Sequence, residues 1–498
     1  MATAARAFRN FIGGDWVDAG SGETFESVSP ANGEPIGTFP RSRPDDVDRA
    51  VEAAKEAYRS WRLVPAPRRG EIVFRFAALV AEHKQELAEL MTREMGKVLA
   101  EAGGDVQEAI DMSYYMAGEG RRLFGQTTPS ELPDKFNMSV RTPIGVVGVI
   151  TPWNFPIAIP SWKIVPALVC GNTVVFKPAN DTPALGERFV ELLVEAGVPD
   201  GVVNVVHGFG RDVGDRIVRH PDVPVVTLTG SRETGVAVMR AAADYLKHVH
   251  LELGGKNGII VMDDADLDLA TDGILWSAFG TSGQRCTAAS RVIVHERVYD
   301  ELASRLVAAA EKMRLGPGWE PDTDVGPVIN RAALEKIHLY TEIGMDEGAE
   351  LLTGGEVATG NGLDRGFFYR PTIFGAVEPQ MRIAQEEIFG PTTALIRASD
   401  LDEAIRVANG VRYGLSSSIF TRDVNRAFRS MRDLEAGITY VNAGTIGAEV
   451  HLPFGGTKDT GNGHREAGQA ALDVFTEWKS IYVDYSGKLQ KAQIDTSE

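Results

Sequence analysis

Between residues 44 and 124, apolar positions recur every three or four residues, the spacing of one face of an α-helix. The pattern predicts helices over Asp45–Trp61 and Arg68–Thr92. Pro44, Pro65 and Pro67 fall near their starts, where a missing backbone N–H is tolerated. Residues 127–143 break the rhythm: Pro129, Pro133 and Pro143 with a loose alternation predict an extended arm or edge hairpin. From Gly145, short valine-rich runs take over at Val146–Ile150, Thr173–Lys177, Val202–Val206 and Val225–Thr229, with a helical stretch over Ala184–Glu195 between the second and third. Strands that alternate with helices predict an α/β fold with a parallel, doubly wound sheet.

After Lys256 the alternation restarts. Strands are predicted at Gly258–Val261 and Arg291–Val294, and helices at Asp266–Ala278 and Tyr299–Met313. A second doubly wound domain is therefore expected, running to about Pro453. One more strand is predicted at Ile481–Asp484, in the tail Trp478–Tyr485.

Composition narrows the function. The 498 residues, 43% of them hydrophobic, suffice for two or three domains. A net charge of -18 repels phosphate backbones and anionic membranes, so neither nucleic acid nor membrane is an expected partner. The segment Met1–Asn10 has no apolar core of a signal peptide, and no apolar run approaches the ~20 residues that span a bilayer. Two cysteines cannot form a disulfide framework and fit a reducing, cytoplasmic setting. The nine histidines show no metal-site spacing and the cysteines lie far apart, so no metal is expected.

The two cysteines differ in their surroundings. Cys170 ends the apolar run Val165–Cys170 and reads as core filling. Cys286 sits in Gly283-Gln284-Arg285-Cys286-Thr287, a glycine-flanked polar segment where a thiol is available as a nucleophile. Glu252, in Leu251-Glu252-Leu253-Gly254-Gly255-Lys256, is a carboxylate able to activate a water. A thiolate adding to a carbonyl creates an oxyanion, and the amide of Asn154 is a candidate donor for it. Flanked by Pro152 and Pro156, Asn154 also reads as an ordinary turn residue.

Glycines cluster after the third and fourth strands, at His207–Gly214 and Thr229–Gly235. Both segments are candidates to meet a pyrophosphate, and both are compatible with plain βα turns. Neither has the G-x-G-x-x-G spacing. Lys177, at a strand end, is placed to reach ribose hydroxyls or a phosphate; Glu387 is a candidate for a second ribose or a solvated acidic turn. His248 and His250 alternate on a strand and read as structural.

Taken in order, Thr151–Pro156, Gly171–Pro178, Leu228–Gly235, Leu251–Lys256, Gly283–Cys286, Glu386–Pro391 and Pro453–Gly456 resemble the aldehyde dehydrogenase superfamily over nearly the whole chain. The resemblance implies a cofactor domain (residues 1–126 and 144–254), a catalytic domain (255–459) and an oligomerisation arm (127–143 and 478–498) in a homotetramer or homodimer. It implies Cys286 as nucleophile, Asn154 and the Cys286 N–H as oxyanion donors, and Glu252 as the base that hydrolyses the thioester. Relatives that transfer the acyl group to coenzyme A typically lack this glutamate, and non-catalytic members would be expected to lose one of the three. It further implies that Ile150, Thr151, Trp153, Lys177, Gly210, Gly214, Gly230, Ser231 and Thr234 line the adenine–pyrophosphate side of NAD or NADP, with Glu387 and Phe389 at the nicotinamide ribose. NAD-preferring members often carry a glutamate where this chain has Asn180. Without that charge, NADP is expected to be accepted.

Arg285, next to the nucleophile, is a candidate clamp for a substrate carboxylate, or half of a structural ion pair with Glu108. Gly-Gln-Arg-Cys is similar to α-ketoglutarate semialdehyde and α-aminoadipic semialdehyde dehydrogenases. Phe155, Trp162 and Phe454 are the expected walls of the substrate tunnel. The expected substrate is a carboxylate-bearing semialdehyde, α-ketoglutarate semialdehyde first, with α-aminoadipic semialdehyde or a broad range of aldehydes as the alternatives.

Overall fold

The computed structural model describes residues 6–494. Residues 1–5 of the N-terminal segment and residues 495–498 of the expected arm lie outside the described residues.

The first sheet has seven strands in the order His248–Glu252, Val225–Thr229, Val146–Ile150, Thr173–Lys177, Val203–Val205, Asn10–Ile12 and Asp15–Val17. The first five are parallel. Their apolar runs are buried on both faces, as parallel strands under helices must be. The prediction of a purely parallel sheet is corrected at one edge. There Asn10–Ile12 and Asp15–Val17 add an antiparallel hairpin. Its two-residue loop, Gly13 and Gly14, has φ of 65° and 106°, which glycine adopts freely.

Chain order explains where a ligand can enter. The chain passes from Val146–Ile150 outward through Thr173–Lys177 to Val203–Val205, then returns on the other side of Val146–Ile150 with Val225–Thr229. That reversal opens a crevice beyond the carboxyl ends of the strands.

The second sheet runs Glu350–Thr353, Thr372–Gly375, Thr392–Ala398, Ala289–His295, Asn257–Val261, Ser416–Phe420 and Ile438–Val441. It is parallel except for Glu350–Thr353 at its edge. Only Leu253–Lys256 separate the last strand of the first sheet from the first strand of the second. The carboxyl edge of one sheet therefore leads directly to the amino edge of the other.

A third, three-stranded antiparallel sheet joins Gln126–Pro129, Lys135–Pro143 and Thr476–Asp484. The C-terminal strand starts five residues before the predicted Ile481, because exposed Glu477 and Lys479 hide its alternation. The helix predicted over Arg68–Thr92 is two helices, Ala66–Glu82 and Lys84–Met95. His83 breaks it at φ -92°, ψ 12°, with its Nδ1 2.7 Å from Glu86. A one-residue break leaves the apolar spacing intact, so periodicity could not reveal it. Among the described residues no helix is long and apolar enough to cross a membrane.

One buried ion pair ties the helical layer to the crevice. Lys97 Nζ lies 2.6 Å from Asp105, and neither side chain is accessible to solvent. The other Asp105 oxygen accepts the N–H of Ala158 at 2.8 Å, at the start of helix Ala158–Cys170. Replacing Asp105 by Ala leaves Lys97 buried without its counter-charge. It should cost about 3–5 kcal/mol, readable in urea unfolding; a loss near zero would mean the pair is not formed.

Candidate active site

Cys286 and Glu252 line one cavity of 540 Å³. Glu252 ends the edge strand of the first sheet, and Cys286 lies three residues before a strand of the second. The Cys286 carbonyl accepts a hydrogen bond from Asn257 Nδ2 at 2.7 Å. Asn257 Oδ1 in turn accepts the Ser416 N–H at 2.9 Å, so the segment is tied to the sheet beneath it. Asn154 is buried, and its Nδ2 donates to the Gln284 carbonyl at 3.1 Å. That bond uses one of the two amide hydrogens and leaves the other beside the thiol segment.

The loop before Cys286 is strained. Thr281, Ser282 and Gly283 have φ of 54°, 54° and 68° in succession. Non-glycine residues rarely adopt this region, and it persists only where surrounding contacts enforce it. Glu101 provides them. Both of its oxygens accept the Thr281 N–H at 2.9 Å, and one also accepts the Thr281 hydroxyl at 3.2 Å.

Glu101 also corrects the expected ion pair of Arg285. The guanidinium meets Glu101 at 3.2 Å rather than Glu108. Its Nε donates to Thr281 Oγ1 at 2.9 Å, and Trp276 and Phe155 flank it with ring centroids at 5.0 and 5.6 Å. The Nη1 nitrogen makes no hydrogen bond among the described residues. Glu108 lies in the same cavity wall, and burial with the nearby Asp105 pushes its carboxyl up to about 8. Phe155, Trp162 and Phe454 line this cavity as expected, Trp162 and Phe454 meeting edge to face at 5.0 Å.

Burial disfavours the charged form of both central groups. Burial pushes the Cys286 thiol up to about 12, with the Glu252 charge adding to the effect. Burial raises Glu252 well above the usual carboxylate range, and Glu466 raises it further. Neither Glu252 oxygen has a hydrogen-bond partner. Behind it, Lys163 makes a very short contact with Glu466 and a 3.0 Å bond to Thr227. His250 lies 3.6 Å from Glu466, and burial lowers its pKa well below the usual value, consistent with a neutral structural ring.

The remaining candidates collect at the carboxyl edge of the first sheet. Ile150 pairs with Lys177, and Thr151 N–H donates to the Lys177 carbonyl at 3.3 Å. Lys177 Nζ hydrogen-bonds only two neutral oxygens among the described residues, Pro178 O at 2.9 Å and Asn180 Oδ1 at 3.2 Å. Burial lowers its pKa to about 8. Gly210 and Gly214 bound one helical turn, with Gly214 against Lys177. Gly230 N–H donates to the Glu252 carbonyl at 3.0 Å, and Ser231 caps helix Arg232–Ala243 through the Thr234 N–H. Glu387 accepts the Gly255 N–H at 2.9 Å, and Phe389 packs edge to face on Trp153 at 5.5 Å.

Glu101, Lys163 and Glu466 were not anticipated. Lys163 had a visible signal: a lone lysine inside the apolar run Ala158–Cys170 must be buried and paired. Glu101 had none, since it sits on a helix of ordinary composition.

Comparison with known proteins identifies the family. The aldehyde dehydrogenase family model matches residues 16–481. The chain belongs to the aldehyde dehydrogenase family, and is an oxidoreductase that acts on aldehydes with NAD or NADP. It is 41% identical to the α-ketoglutaric semialdehyde dehydrogenase of Bacillus subtilis, over 97% of this chain and 99% of that protein. It is 44% identical to the α-ketoglutarate semialdehyde dehydrogenase of Haloferax volcanii, over 96% and 99%. Betaine aldehyde dehydrogenase of Staphylococcus aureus, solved with NAD+, superposes with a TM-score of 0.95 at 36% identity, covering 97% of this chain and 95% of that one.

Gly283 links the two sides of the site. A Cβ there would lie 2.0 Å from the Gly390 carbonyl, at φ +68°. Gly283→Ala should cost about 2–4 kcal/mol and most of the activity. Gly348→Ala, at φ +96° with open space around it, should cost only the conformational ~1–2 kcal/mol. Thermal unfolding of both variants tests this; equal losses would mean the clash is relieved.

Proposed function

We propose that the chain oxidises an aldehyde to a free carboxylic acid, with Cys286 as nucleophile and Glu252 as general base. The observation that carries this is a hydrogen-bond-free, buried carboxylate in the same cavity as the only thiol that lines it. Cys286 gives up its thiol proton to water, and its Sγ bonds to the aldehyde carbon as the carbonyl π bond opens; the resulting oxyanion accepts hydrogen bonds from Asn154 Nδ2 and the Cys286 N–H. A bound nicotinamide ring supplies the hydride acceptor. Glu252 takes a proton from the water that attacks the Cys286 thioester. The acid leaves and the thiol is restored.

The residues fit a nicotinamide dinucleotide. Lys177 is a buried cation with no carboxylate hydrogen-bonded to it, as suits a ribose hydroxyl or phosphate acceptor. In this reading Lys177 and Asn180 meet the adenosine ribose. Ile150, Thr151, Trp153, Gly210, Gly214, Gly230, Ser231 and Thr234 line the adenine–pyrophosphate side. Glu387 and Phe389 meet the nicotinamide ribose. With Asn180 neutral, NADP is accepted. Residues 1–126 and 144–254 form the cofactor domain and 255–459 the catalytic domain. The arm of residues 127–143 and 478–498 joins copies into a cytoplasmic homotetramer or homodimer. Exposed Phe136, Trp478 and Tyr482 on the arm support that last point.

The proposed substrate is a carboxylate-bearing semialdehyde, with α-ketoglutarate semialdehyde first, as the similar relatives suggest. Arg285 has one nitrogen uncommitted toward ligand, and Phe155 and Trp162 enclose the aliphatic part. Glu108 favours a second reading, α-aminoadipic semialdehyde. An ammonium on the substrate would draw that carboxyl back to its ionised form.

Glu252→Gln should retain the first turnover while steady-state kcat falls by about 10²–10⁴-fold, trapping an acyl-enzyme visible by mass spectrometry. A base with a raised pKa works only once deprotonated. Wild-type kcat should therefore climb with pH above the usual carboxylate range, and the Gln variant should lack that limb. Unchanged turnover would remove Glu252 from the chemistry. Arg285→Leu should lower kcat/KM for the acidic semialdehyde about 10–100-fold relative to an uncharged aldehyde of similar length. Equal losses for both would reduce Arg285 to a structural role.

A further inference from the structure

A second cavity, of 840 Å³, shares no lining residue with the cavity of Cys286. Helix Lys84–Met95 gives it Glu89, Leu90 and Arg93, and the turn before strand Pro35–Pro40 adds Glu34. Its charged groups are left without close ionic partners. Arg93 makes no ion pair and no hydrogen bond among the described residues. Glu89 lies four residues before it, the spacing and order in which a carboxylate and a guanidinium attract one another along a helix. Glu301 and Arg305 close such a pair in this protein, at 2.6 Å. Glu89 instead accepts from the Gln85 amide at 2.9 Å. Glu34 meets Arg365 at 3.9 Å, both side chains exposed. Thr92 lines the same cavity, 1% exposed, and its hydroxyl has no hydrogen-bond partner. Apolar wall is supplied by Ile36, Leu90, Leu99 and Trp319, the last 37% exposed.

The two cavities are separated by a thin wall of chain. Leu99 lines the outer one, and its neighbours Val98, Ala100 and Glu101 line the cavity of Cys286. Trp319 lines the outer one, and Met313, Thr323 and Asp324 line the inner. Leu99 N–H donates to the Gly318 carbonyl at 3.0 Å, which joins the two segments. The junction is tight, since a Cβ at Gly318 would lie 2.2 Å from the Lys97 carbonyl and 3.0 Å from Thr92 Cγ2. Glu101, two residues after Leu99, holds the strained loop before Cys286.

We propose that the outer cavity is a second ligand site, for a free α-amino acid with an apolar side chain, and that its occupancy alters aldehyde oxidation through the Leu99–Glu101 turn. Arg93 takes the α-carboxylate, which suits the forked guanidinium. Glu89 takes the α-ammonium, and Trp319, Leu90 and Leu99 receive the side chain. A ligand of one sign would leave Arg93 or Glu89 unanswered; a zwitterion meets both.

Calorimetric titration of the full chain with L-phenylalanine tests the site without turnover. L-Phenylalaninamide lacks the carboxylate, N-acetyl-L-phenylalanine lacks the ammonium and glycine lacks the apolar body. L-Phenylalanine should bind at least about tenfold more tightly than each of these. Arg93→Gln and Trp319→Ala should each weaken it about 5–20-fold, while kcat/KM for the aldehyde alone stays within about twofold. The site is overturned by no saturable heat with L-phenylalanine, by an amide or acetyl form that binds as tightly, or by binding indifferent to both substitutions. Saturating L-phenylalanine should also move the wild-type KM for the aldehyde at least about twofold, a shift that Arg93→Gln loses. Binding without any shift overturns the coupling and supports the site alone.

Discussion

The grip of Glu101 on the Thr281–Arg285 loop is the contact on which the site depends. Three successive residues with left-handed backbone are unfavourable in isolation, at about 1 kcal/mol or more for each non-glycine. Helix Leu99–Glu119 carries Glu101 and packs into the core that covers the first sheet. The loop leads into a strand of the second sheet. One carboxylate thus grips the loop before Cys286 from a helix that packs over the first sheet. It also holds Arg285, so the shape of the cavity and its charge share one anchor.

The carboxyl ends of the first sheet's strands and the amino ends of the second's border one cavity, and the candidate groups lie in that seam. The carboxyl edge of the first contributes Glu252, Lys177 and the glycine turns. The amino edge of the second contributes Cys286 and Glu387. Burial in this seam is costly for charge, and the protein handles it in two ways. Lys97 and Lys163 are paired with Asp105 and Glu466. Glu252, Glu108 and Cys286 are left without an ion-pair partner, and burial raises the pKa of each.

Much of this was legible from the residues. The parallel strands announced themselves as apolar runs, and their ends were right to within a residue at Val146–Ile150, Thr173–Lys177 and Val225–Thr229. The contrast between Cys170 and Cys286 was also readable, because an apolar run and a polar glycine-flanked segment bury a thiol differently. What periodicity could not carry was local. The His83 break lies between two helices of the same rhythm, and the Gly13–Gly14 hairpin is too short to show an alternation. The partner of Arg285 was about two helical turns from the expected residue. Glu101 and Glu108 share a helix, and only the path of the Thr281 loop decides which of them it reaches.

The protonated thiol has a bearing on endurance. The thiolate, not the thiol, is the form that attacks peroxides and disulfides and is oxidised by them. Desolvation, helped by nearby carboxylates, pushes the Cys286 thiol up to about 12 and so favours the less vulnerable form. The same burial that raises the pKa of the Cys286 thiol therefore acts as a chemical preservative for its sulfur.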